Sequence, residues 1–141
     1  MSDTYKIGSN NAKISLQVIL SSNATCSTKV IQKTSAGVKT ALVKSAVINN
    51  GSIDNTAIGV SSVLSGSEII IQTIADCGAL PSGIIATIQA DPSNIKTYLT
   101  INYIFIGGQD GSVNFTYEIA DTMNSTDGKQ TIITKHVQII S

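Results

Sequence analysis

The sequence has no tryptophan, no arginine, one histidine, two cysteines, two prolines and two glutamates, and each shortage narrows what the chain is able to do. Without arginine, and with no lysine group denser than Lys29, Lys33, Lys39 and Lys44, little is available to neutralise a phosphate backbone. Nucleic acid is therefore not an expected partner. A structural zinc site takes four clustered nitrogen or sulfur ligands, whereas Cys26, Cys77 and His136 are the only three such side chains in the chain. Asp110, Asp121 and Asp127 stand in turn-like contexts without the close acidic series of a calcium loop, so they read first as turn-formers. No metal and no cofactor is expected.

Long apolar runs are missing as well. Triplets such as Ile69-Ile70-Ile71 are the longest, far short of the roughly 18 residues that suggest a membrane-spanning helix, so no membrane partner is expected. The stretch Met1 to Lys6 leads into alternating polar and apolar residues rather than an apolar core, which argues against a signal peptide. The expected location is the cytoplasm of the producing cell or a virion, and there Cys26 and Cys77 are expected as reduced thiols.

What the sequence does contain is isoleucine, threonine and serine: 23, 15 and 18 residues, against 6 leucines. That bias, with only 13% charged residues, excludes a coiled coil and a disordered charged chain and favours β structure. A length of 141 residues fits a single domain spanning residues 1–141. The net charge is zero but unevenly spread: residues 1–50 hold six lysines against Asp3, whereas residues 51–128 hold eight acids against Lys96. The two stretches are expected to neutralise one another within the fold; the alternative is head-to-tail attraction between copies.

Alternation locates the strands. Leu99, Ile101, Tyr103 and Phe105 fall on one face of a strand over 96–106, and Val113, Phe115, Tyr117 and Ile119 on one face of a strand over 112–120, with Gly107 to Gly111 as the hairpin between them. Residues 130–140 put Ile133, Lys135, Val137 and Ile139 on a shared face, and the three segments together predict an antiparallel meander. Further strands are predicted over 13–20, 28–33 and 68–75, the last apolar on both faces. Residues 35–48 fit helix or strand and are read as strand from their neighbours; 81–91, between Pro81 and Pro92, fit a short helix; 56–64 read as a connection with room for another. The predicted fold is an all-β, antiparallel two-sheet sandwich of Greek-key or jelly-roll type with one or two short helices, and a closed barrel is the alternative.

Catalytic signatures are sparse. His136 has no nucleophile elbow or oxyanion sequence beside it, the glycine-rich 107–111 segment lacks a phosphate loop's Lys-Ser/Thr ending, and no catalytic residue is assigned. One feature exceeds a generic sandwich: Ile69, Ile70, Ile71, Ile104, Ile106, Ile139 and Ile140 place apolar groups on both faces of strands, although a free two-layer sandwich leaves one face of each sheet wet. These seven are the candidate interface, and the expected function is a non-enzymatic subunit of a larger assembly. A phage or virus particle component, such as a capsid decoration or tail protein, is the expected setting, with other subunits as partners and a homo-oligomer or particle surface as the state. The alternative is a glycan- or ligand-binding adhesive module with Tyr98 and Asn102 as its platform.

Overall fold

The computed structural model describes residues 3–8 and 11–141; Met1 and Ser2, where the stretch read for an export signal begins, lie outside the described residues, as do Ser9 and Asn10. Two open sheets face one another, so the expected sandwich forms and not the barrel. The larger runs β1 (Asp3–Lys6), β10 (Gln130–Ile140), β6 (Glu68–Asp76), β3 (Thr25–Lys33), β4 (Lys39–Lys44), with β9 (Thr122–Asn124) also paired to β10. The smaller runs β5 (Ile53–Val60), β2 (Lys13–Ser22), β7 (Leu99–Gly108), β8 (Gly111–Thr116). All pairs are antiparallel except β1 with β10.

The alternating residues form the core. Ile14, Leu16 and Val18 of β2 and Leu99, Ile101, Tyr103 and Phe105 of β7 meet Ile69 and Ile71 of β6 and Ile133, Val137 and Ile139 of β10, all buried. The polar pair within this layer is satisfied internally: the Thr28 and Thr73 hydroxyls hydrogen-bond at 2.8 Å, which removes most of the penalty of burying them.

Several elements differ from the sequence reading. The strand expected from residue 96 begins at Leu99, because Ile95–Tyr98 forms a single helical turn, α3. Of the 56–64 segment read as a connection with room for a short helix, the first part belongs to strand β5 (Ile53–Val60) and the last part forms the short helix α1 (Ser61–Leu64). Register shifts between Ile14 and Ser15 and between Leu16 and Val18 interrupt the pairing of β2 with β5, and such bulges erase the clean alternation that would have marked the strand. Residues 39–44 are strand, as read, and 82–90 are helix α2, which seats Ile88 in the core.

The predicted three-strand meander does not form. β8 stops at Thr116, the Tyr117 hydroxyl donates to the Leu99 carbonyl, and a 3-10 turn over Ile119–Asp121 carries the chain to the other sheet. That turn is closed by Glu118 N–H donating to Asp121 Oδ2 at 2.8 Å and Asp121 N–H donating to the Glu118 carbonyl at 2.9 Å. β10 therefore pairs with β6, not with β8.

The Gly107 to Gly111 segment is more than a hairpin. Gly107 and Gly108 belong to β7, and the Tyr5 hydroxyl accepts from Gly108 N–H at 2.8 Å while donating to the Gly111 carbonyl at 2.5 Å. Asp110 Oδ2 accepts from Lys6 N–H at 3.0 Å. The segment is thus a clamp that ties the four-residue β1 across to the small sheet.

Candidate interaction surfaces

The seven isoleucines of the candidate interface divide by face. Ile69, Ile71 and Ile139 point inward and are fully buried in the core of one chain, so they are not available to a partner; the strand period puts them on the inner face of the large sheet. Ile70 lies on the outer face between Ile31 and His136 and is 9% exposed, already covered by its cross-strand neighbours. Ile104 and Ile106 are half-buried on the outer face of the small sheet, and Ile140 is exposed beside Lys6.

Other exposed apolar groups, Ile19, Val47 and Ile48, lie outside the candidate interface named from the sequence. Ile19 pairs with Asn102, one position along the outer face from Ile104, and extends the Ile104–Ile106 row. Val47 and Ile48 sit on a 3-10 turn after β4 and are 97% and 90% exposed, which leaves them with almost no contact within the chain. Both fall within 35–48, which the sequence reads as strand, but β4 ends at Lys44 and the turn that follows lifts them out of the sheet.

The adhesive platform does not assemble as read. Tyr98 ends α3 rather than standing on a strand face, and it lines a depression of about 240 Å³ with Ser21, Ser22, Asn23, Ile84 and Thr97. Asn102 lines a separate depression of about 280 Å³ beside Lys96 and Tyr117, and its Oδ1 accepts from Asn114 Nδ2 at 3.2 Å.

Close ion pairs are few among the described residues. They are Lys135 with Asp3, Lys135 with Asp121 and His136 with Glu68, and none joins the lysines of 1–50 to the acids of 51–128. Lys29, Lys39 and Lys44 stand exposed along the β3–β4 edge, with Lys33 beside them, while Asp76, Asp91 and Asp127 are each engaged by nearby backbone N–H groups in turns. His136 Nδ1 lies 3.0 Å from Glu68 Oε1 on the outer face of the large sheet.

Cys26 and Cys77 are free, buried thiols. Burial, with a smaller effect from Cys77, pushes the Cys26 thiol up to about 11, and burial with the Asp76 charge raises Cys77. Above about pH 9 the unfolded chain releases these protons while the folded chain keeps them, so stability is expected to fall as pH rises. The slope is at most about 1.4 kcal/mol per pH unit for each thiol. Urea unfolding at a series of alkaline pH values checks this, and Cys26→Ala should flatten the decline; an unchanged slope would mean that the thiol is not the group responsible.

Among the described residues no three His, Cys, Asp or Glu side chains converge as a metal-ligand group, and no helix is long and apolar enough to cross a membrane. No family model, no curated protein and no solved structure matches the chain, so its reading rests on these surfaces.

Proposed function

We propose that this chain is a non-enzymatic structural subunit of a larger protein assembly, in the setting of a phage or virus particle, where capsid decoration and tail proteins do such work. The observation that carries the reading is apolar surface left open by the fold: Ile19, Ile104 and Ile106 on the outer face of the small sheet, and Val47 and Ile48 at the tip of a turn. Apolar groups at such positions mark contact sites in soluble proteins. The lysine-bearing β3–β4 edge, without ion-pair partners among the described residues, adds an electrostatic component to contacts between copies.

Light scattering across a dilution series at two salt concentrations tests the proposal. A discrete oligomer is expected, weakened at high salt, and Ile104→Asp should disperse it by placing a charge in the contact. A monomer at every concentration, unchanged by the substitution, would overturn it. The depression at Tyr98 supports a second reading, an adhesive module, because it joins one aromatic ring to several hydroxyl groups. That reading predicts a monomer that binds in a glycan screen and loses binding in Tyr98→Ala.

A further inference from the structure

Lys135 occupies an inward-facing position of β10 between Ile133 and Val137, where every other residue of that face is apolar or a threonine, and it is 4% exposed. A lysine there costs far more than an isoleucine unless its charge is met. Two carboxylates meet it. Lys135 Nζ is in direct contact with Asp3 Oδ2, and Asp121 Oδ2 stands 4.0 Å away.

The topology explains why both arrive at one place. β9 pairs with the start of β10, at Thr131 to Ile133, and β1 pairs with its end, at Val137 to Ile140, both on the edge away from β6. Lys135 lies at the junction between these two short strands. Asp3 is the first residue of β1, and Asp121 immediately precedes β9. Asp121 is held in place by the Glu118 N–H, and the Tyr103 hydroxyl is buried with no hydrogen-bond partner among the described residues. Burial raises the Tyr103 phenol, and the Asp121 charge adds to that effect.

We infer that Lys135 and Asp3 form an intramolecular isopeptide bond, with Asp121 as the proton carrier. Nζ attacks the Asp3 carboxyl carbon, a C–N bond forms, and the C–O bond to one carboxyl oxygen breaks. The ammonium loses two protons, relayed through Asp121, and both end on the departing oxygen, which leaves as water. An ammonium and a carboxylate thus become a neutral amide and one water, and no oxidant or reductant takes part. In bulk water the ions are favoured, but the site brings the groups together, buries the lysine and leaves an exit for the water. Lys135 Nζ already touches a carboxyl oxygen of Asp3, one bond from the carbon it attacks, which replaces a bimolecular encounter. Burial penalises the charge of Lys135 and not the amide. Asp3, with its side chain 44% exposed, is the open side through which water escapes.

The bond would join the first described strand to the last. β1 and β10 run parallel, so a pull applied before Asp3 and after Lys135 would pass through the amide rather than peel β1 from its short edge pairing. This inference is independent of the assembly reading, since a crosslinked monomer is as consistent with it as a crosslinked oligomer.

Intact mass of the denatured full chain after incubation for a day is the test. The protein is expected one water lighter than its sequence, with fragment spectra linking the peptide that carries Asp3 to the one that carries Lys135, and no tryptic cleavage after Lys135. Asp3→Asn should form the same amide and come out one ammonia lighter than its own sequence. Lys135→Met should keep its full mass; because that position is buried, Asp3→Ala at the more open position provides the same result if the first variant does not fold. Asp121→Asn should slow the reaction at least about tenfold while the native spectrum is retained. Full mass with a free Lys135 amine would overturn the inference, as would a water loss that maps to the Asp110–Gly111 or Asp127–Gly128 sequences.

Discussion

Gly107→Ala is expected to destabilise the fold by about 3 kcal/mol or more. Gly107 has φ +103°, a conformation that L side chains rarely adopt, and a Cβ there would lie 2.2 Å from the Lys13 carbonyl oxygen. That oxygen belongs to the backbone at the start of β2, so no side-chain rotation relieves the overlap. Either β2 or β7 must shift, and the displacement would reach Gly108 and the Tyr5 hydroxyl that it holds. Gly111→Ala is the control. Its φ is +74°, but a Cβ there meets nothing within 4 Å, so only the conformational cost of about 1 kcal/mol applies. Urea unfolding of both variants separates the two causes, and equal losses would refute the close-approach explanation.

The second large effect comes from the division of the isoleucines by face. Ile71→Ala is expected to cost about 2–5 kcal/mol, since Ile71 is fully buried at the centre of the large sheet and its removal leaves a cavity that neighbouring strands cannot close. Ile140→Ala, on the same sheet but 39% exposed, is expected to stay within about 0.5 kcal/mol. The comparison is made at constant denaturant slope, which shows that the unfolded state has not changed. Similar losses at both positions would mean that Ile140 is covered in solution, and a concentration dependence of its midpoint would identify a second copy as the cover.

Much of the architecture was legible in the residues because side-chain alternation is a local property. Leu99, Ile101, Tyr103 and Phe105 announced both a strand and its inward face, and Ile133, Val137 and Ile139 did the same for β10. β1 went unread because Asp3-Thr4-Tyr5-Lys6 is too short and polar to show a period, and its place depends on the Tyr5 hydroxyl reaching Gly108 and Gly111 more than 100 residues away. β9, three residues long, was silent for the same reason. The meander was misjudged because sequence adjacency favours pairing of successive strands, and the turn closed by Glu118 and Asp121 sends the chain to the other sheet instead.

The candidate surfaces divide along the same line. Outward isoleucines were visible as apolar doublets and triplets, but which member of each faces outward follows from register, and Val47 and Ile48 follow from a turn that leaves them uncovered. Lys135 is the clearest case. Its inward position was readable from its period with Ile133 and Val137, but a lysine on an inner face gives no sign of what neutralises it.

By itself, the sequence determined that the chain is a β protein, where its longer strands lie and which side of each is apolar, since these depend on composition and a two-residue period. Tertiary structure alone decided that β10 joins the large sheet, that Gly107 and Gly108 face β1 and β2, and that Asp3 and Asp121 converge on Lys135. Those are contacts between residues distant along the chain. Strand pairing of that kind is chosen by which buried faces and polar groups can be satisfied together, a condition that no local segment encodes.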